Sequence, residues 1–219
     1  MVQIRPPNFA EVIQVARKFT VFSALISACF LFVILGCSKN AATASNFEDG
    51  LDHYFQANPE CTDFVRFPRT LSYEDPQLDS LVGLGLVTKT IGPPEAWGEK
   101  PFIYDLTAAG HAAASSKKPT ALCYGTKRVE RIVNFTEPGE GGSGGTKESS
   151  VTYIWRLTNI PAWAQSLATN KHWSNTDVGA ELRSDTPPDK RKGEALMVLT
   201  HLGWRVAALD GQLVDDDGQ

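Results

Sequence analysis

The chain has 219 residues, 42% of them hydrophobic and 21% charged, with a formal net charge of −4. These averages are those of a globular protein. They exclude a collagen-like chain, a coiled-coil rod and a wholly disordered chain. The apolar residues are unevenly spread, however, with a dense block near the N-terminus.

Arg5, Arg17 and Lys18 come before an uncharged run of 18 residues, Phe19 to Gly36. A basic segment followed by an apolar one is the layout of an export signal. The run closes on Ile34-Leu35-Gly36-Cys37. These four residues resemble the lipobox of bacterial lipoproteins. The resemblance implies cleavage before Cys37, a diacylglycerol thioether on the Cys37 sulfur, acylation of its new amino group with a palmitate-like chain, and attachment to a membrane. Two or more acyl chains give a stable anchor. Ser38, where inner-membrane members of that family carry aspartate, implies the periplasmic face of the outer membrane. The alternative is an uncleaved transmembrane anchor, since 18 apolar residues reach the lower limit for spanning a bilayer. In both readings the flanking charges leave the residues after 37 outside the cytoplasm.

Without residues 1–36, 183 residues remain, with 18 basic and 24 acidic side chains and a net charge of −6. An acidic domain does not attract nucleic acid by its overall field. Cys29 falls in the signal and Cys37 is the lipid site, leaving Cys61 and Cys123. An even pair in an oxidising compartment predicts a Cys61–Cys123 disulfide. Two buried free thiols are the alternative. Neither cysteine sits in a C-x-x-C motif, so neither a metal nor a cofactor is expected.

Residues 37–45 read as the lipidated cysteine and a flexible tether. Residues 46–118 read as a helical lobe. Asn46 is a candidate cap for a helix with Phe47, Leu51, Tyr54 and Phe55 on one face, ending near Asn58-Pro59. Asp75-Pro76 starts a second helix that stops at Gly85. Strands over Leu86–Ile91 and Phe102–Leu106 flank a proline-rich loop, and Thr107 caps a short alanine-rich helix. The run Leu81 to Val87, the loop, and Tyr104 to Gly110 resemble the winged-helix fold of small bacterial regulators. There is no Lys or Arg between Asp75 and Gly85, where phosphate contacts would require several. The lobe is therefore expected to serve structure and not DNA.

Residues 119–210 read as an antiparallel β-rich lobe, making the expected fold class α+β. Ala121–Tyr124 is a short strand, and Gly125-Thr126 a turn. Arg128–Thr136 and Ser150–Thr158 form a hairpin. A short helix follows Pro161. Residues 169–193 are polar and read as a long surface excursion. Ala195–Thr200 and Trp204–Leu209 form a closing hairpin. Residues 211–219 are an acidic tail.

Several motifs match in form only. Gly139 to Gly144 fits G-x-G-x-x-G, but the segment after it reads as strand where a dinucleotide site needs a helix. Ser143 fits G-x-S-x-G inside a Gly/Ser-rich tip that cannot hold a nucleophile in place. His53, His111, His172 and His201 show no metal-ligand spacing. Lys190-Arg191-Lys192 reads as a solvated charge run. Trp97 and Trp173 lie in polar loops. Either they anchor a partner, or they pin their own loops to the body. These features point to a membrane-anchored envelope module that binds another protein, in one version as an inhibitor or immunity lipoprotein. The alternative is an envelope hydrolase whose residues converge only in three dimensions.

Overall fold

The computed structural model describes residues 38–62, 65–94, 98, 100–141, 145–183 and 186–214. Residues 1–37, which include the expected signal and lipid site, and Trp97, Ser143 and residues 215–219 lie outside the described residues. Among the described residues no helix is long and apolar enough to cross a membrane. Residues Ala42–Gln219 form one compact unit of mixed α and β structure. Its larger sheet is a curled antiparallel one.

Helix α1 spans Ala44–Ala57. It starts earlier than Asn46 because Thr43 is the cap, its Oγ1 accepting from the Asn46 N–H. Such a cap contributes about 1 kcal/mol. Phe47, Leu51 and Phe55 recur at helical spacing and are buried. They pack on a sheet made of β5 (Cys123–Phe135), β7 (Thr146–Thr158), β8 (Lys192–Thr200) and β9 (Gly203–Leu209). The two-residue strands β1 (Glu60–Cys61) and β10 (Gln212–Leu213) border this sheet, and β6 (Gly139–Gly141) pairs with β7. Val129, Val151, Tyr153, Trp155, Met197, Trp204 and Val206 face α1. Gly50 lets the helix approach closely, since a Cβ there would lie 2.5 Å from the Trp204 carbonyl oxygen.

A second core lies around a three-stranded sheet. Its strands are β2 (Arg69–Leu71), β3 (Val87–Ile91) and β4 (Phe102–Leu106), in the order β2-β4-β3. Helix α2 (Pro76–Gly83) is capped by Asp75, whose Oδ1 accepts from the N–H groups of Gln77 and Leu78. Helix α3 (Ala108–Ala113) is capped by Thr107. Leu78, Leu81, Val87, Tyr104 and Leu106 meet Leu167, Val178 and Leu182 from helices α4 (Ala162–Ala168) and α5 (Asp177–Leu182).

The two cores cross the boundary expected at residues 118–119. Helix α1, from the expected first lobe, completes the sheet core. Helices α4 and α5, from the expected second lobe, complete the other. Neither half of the chain holds a full set of apolar faces by itself.

Two local expectations are also corrected. Gly125-Thr126 is no turn, because β5 runs straight through it. Gly125 is buried where a Cβ would meet the Leu157 side chain at 2.7 Å, so close packing and not chain reversal calls for glycine. Nor are residues 169–193 a surface excursion. Trp173 is fully buried, and its indole N–H donates to Ser80 Oγ at 2.7 Å. Gln77 Nε2 donates to the His172 carbonyl, fixing the same loop from the other side.

Candidate functional site

The disulfide between Cys61 and Cys123 sets the local geometry. The two residues are direct cross-strand partners, and the pair beside them is Glu60 and Gly125. A two-residue strand has little pairing energy of its own. The bridge closes a loop with a sequence separation of 62, worth about 4 kcal/mol in the chain-entropy account. It thereby holds Glu60 on the border of β5. Two residues beyond Gly125 stands Lys127, on the face that carries Val129 and looks toward α1.

Lys127 Nζ lies 3.1 Å from Glu60 Oε1 and 3.5 Å from Glu181 Oε1. Tyr124 Oη donates to Glu181 Oε2 at 2.7 Å. The ammonium also sits 4.4 Å above the centre of the Trp155 ring. The three charged side chains are between 19% and 26% exposed, so the group is mostly removed from water. Burial raises the Glu60 pKa, and the Glu181 charge adds to that. Lys127 pulls the other way but does not compensate. For Lys127, burial opposes the charged form, yet the two carboxylates outweigh it and the net shift is upward.

Above this group opens a cleft of about 520 Å³. It exists because β8 ends its pairing with β7 at Ile154–Lys192, leaving residues 155–158 of β7 without a strand on that side. A 3-10 turn over Pro188–Arg191 packs against β7 beside this border. Trp155 and Glu181 line the cleft, along with Arg183, Thr186, Lys190 and Arg191. A smaller cleft of about 170 Å³ adjoins it, sharing Glu181, Arg183 and Arg191 and adding Arg156. A separate groove of about 360 Å³ lies between Tyr54 and the β8–β9 hairpin, with His201 and Arg205 on its lining.

A second lysine has the same kinds of neighbours in an open setting. Lys89 Nζ lies 2.7 Å from Glu74 Oε1 and 2.9 Å from Asp79 Oδ1. Tyr104 Oη donates to Asp79 Oδ1 at 3.0 Å, and the Phe102 ring centre is 4.9 Å from the ammonium. Here Glu74 is 61% exposed. Hydrogen bonds to Glu74 and then Asp79 push the Lys89 pKa up.

The residues singled out from sequence separate clearly. Cys61 and Cys123 are joined, which removes the free-thiol alternative. Trp173 is buried and serves as the pin of its own loop, so its indole is not offered to a partner. Cys37 and Trp97 lie outside the described residues. His53, His111 and His201 are exposed and His172 is half-buried, on separate elements. Among the described residues no three His, Cys, Asp or Glu side chains gather where they could hold a metal ion. The run Lys190-Arg191-Lys192 is not uniformly solvated, since Arg191 Nε is buried. Glu60, Lys127 and Glu181 had no signal in the sequence, because a lone charge within an amphipathic strand or helix looks like any solvated residue.

Comparison with known proteins found no matching family model, no similar curated protein and no similar solved structure.

Proposed function

We propose that this chain is a membrane-anchored cell-envelope lipoprotein whose folded part is a non-enzymatic binding module. The observation that carries the binding role is the cleft over Trp155. It is open, walled by the Trp155 ring and by Arg183, Lys190 and Arg191, and reaches the charged group through Glu181, which pairs with Lys127. Sites of this size with a few placed polar groups are the usual form of ligand pockets. The lipobox-like Ile34-Leu35-Gly36-Cys37 supplies the anchor, and the Cys61–Cys123 bridge suits an oxidising compartment. An envelope protein is the partner class, and an inhibitor or immunity lipoprotein is a specialised form of the same reading. Helix α2 with the β3–β4 hairpin and β2 supports a winged-helix-like lobe used as scaffold.

Two experiments test this. Metabolic labelling with a fatty-acid probe should mark the wild-type chain and not Cys37→Ala, and persistent labelling would defeat the anchor assignment. A pull-down from envelope membranes should recover one specific component, lost when Trp155 or Arg191 is replaced. Recovery that is indifferent to both would defeat the cleft.

A second reading, an envelope hydrolase, is favoured by the same charged trio. Acid–base work uses a carboxyl whose pKa is raised by burial beside a second carboxylate, and Glu60 is such a group. Hydrolysis of ester, glycoside or peptide substrates that disappears in Glu60→Gln with the fold intact would establish it.

A further inference from the structure

We infer that the cleft over Trp155 binds an anionic group, a carboxylate or a phosphate, held by the side of the Arg191 guanidinium with Lys190 as a second cation. The inference rests on the binding-module reading and names the ligand chemistry of its cleft.

Arg191 ends the 3-10 turn, directly before β8. Pairing of Lys192 with Ile154 therefore fixes its backbone. Its Nη2 donates to the Arg183 carbonyl oxygen at 2.8 Å, which orients the guanidinium. Its Nε is buried and has no hydrogen-bond partner. An arginine cannot shed this proton, so the buried donor stands as an unmet cost. An oxygen acceptor in the cleft would recover it once a small turn of the guanidinium brings that edge to the lining. Nε with a neighbouring Nη forms a fork that matches two oxygens of a carboxylate or phosphate.

The surrounding charges permit this. Among the side chains described, neither Lys190 nor Arg191 enters an ion pair. Glu181 shares the lining, but its two oxygens are engaged by Lys127 and Tyr124. Asp177 lines the cleft as well, so two carboxylates stand against Arg183, Lys190 and Arg191, and the lining keeps a net charge of about +1. Trp155 excludes water from one wall, which strengthens a charged contact made there.

The groove by His201 provides an internal control. Arg205 Nε is also buried without a partner. Its neighbours there include Val198, Val206 and Val214 and no second arginine or lysine.

The test is calorimetric titration of the oxidised full-length chain in neutral detergent with inorganic phosphate and, separately, succinate. A third arm measures binding of the chain to vesicles of neutral lipid with and without phosphatidylglycerol, which distinguishes a headgroup from a free anion. Saturable binding in at least one arm is expected. Arg191→Gln should weaken it by about tenfold or more, the loss of one charge-assisted bond. Arg205→Gln should leave it unchanged. Should the glutamine variant fail to fold, Arg191→Lys keeps the charge and loses the fork, and must also weaken binding. Absence of saturable binding in all arms would overturn the inference, as would undiminished binding in the folded Arg191 variants or an equal loss in Arg205→Gln. Partner recovery from membranes that survives Arg191→Gln but not Trp155→Ala would overturn it too, while leaving the cleft as the binding site.

Discussion

Lys127 and Lys89 are surrounded by the same chemistry in two different places. Each ammonium meets two carboxylates and an aromatic ring, and in each case a tyrosine hydroxyl donates to one of the carboxylates. Around Lys89 one carboxylate is mostly in water. Around Lys127 all three charged side chains are at least about three-quarters covered. An exposed ion pair contributes little, because water already solvates both partners. A buried one contributes little in net terms either, but removing one member strands the others. Identical composition thus gives an expendable surface contact on one sheet and a structural constraint on the other. The cleft stands over the constrained one.

The largest test of this contrast is Lys127→Met. It leaves Glu60 and Glu181 facing each other in a covered site, and should cost about 3 kcal/mol in denaturant unfolding. Next is the double replacement Cys61→Ala with Cys123→Ala, which should cost about 2 kcal/mol, since bridges deliver less than the chain-entropy figure when the unfolded chain retains structure. Because β1 then loses its tie to β5, the loss should appear as faster hydrogen exchange at Glu60 and Lys127 with no change at Lys89. Equal loosening at both lysines would refute the link between the bridge and the Lys127 group.

A smaller effect concerns pH. The folded-state pKa of Glu60 lies above its ordinary value of 4.5. The folded chain therefore holds that proton longer than the unfolded chain does. The resulting stabilisation is complete below pH 4.5 and is lost as pH rises through the folded value. Relative to wild type, Glu60→Gln should therefore gain stability as pH rises from 4.5 through the folded value. A gap that does not change with pH would show that Glu60 is not burdened by burial. The smallest effect is expected for Lys89→Met, whose unfolding midpoint should match that of wild type within error. A loss comparable to that of Lys127→Met would break the comparison outright.

Much of the scaffold was readable from local patterns. Phe47, Leu51 and Phe55 announce α1 by spacing alone. Asp75-Pro76 announces α2, because the Asp75 carboxylate accepts from the first free N–H groups and a proline at the first helical position has no N–H to satisfy. The bridge followed from parity once two cysteines were assigned to the signal and the anchor. Strands β1 and β2 were not readable, being two and three residues long and held by partners distant in sequence. Which of its two readings holds for Trp173 was not legible for a related reason. Its burial depends on Gln77 and Ser80, more than 90 residues away. The candidate site was the least legible part. Glu60, Lys127 and Glu181 come from three elements and become distinctive only when the fold withdraws them from water. Arg191 was visible as part of a basic run, but not the burial of its Nε.

The proposed binding role is tested most directly by placing a photo-crosslinking residue in the full-length chain at Ala180, on the cleft lining, and at the exposed Thr88, beside Lys89. Irradiation of intact cells should yield a discrete adduct from position 180 and none from position 88. Adducts from position 88 alone, or none from position 180, would contradict the assignment of the binding surface to the cleft over Lys127.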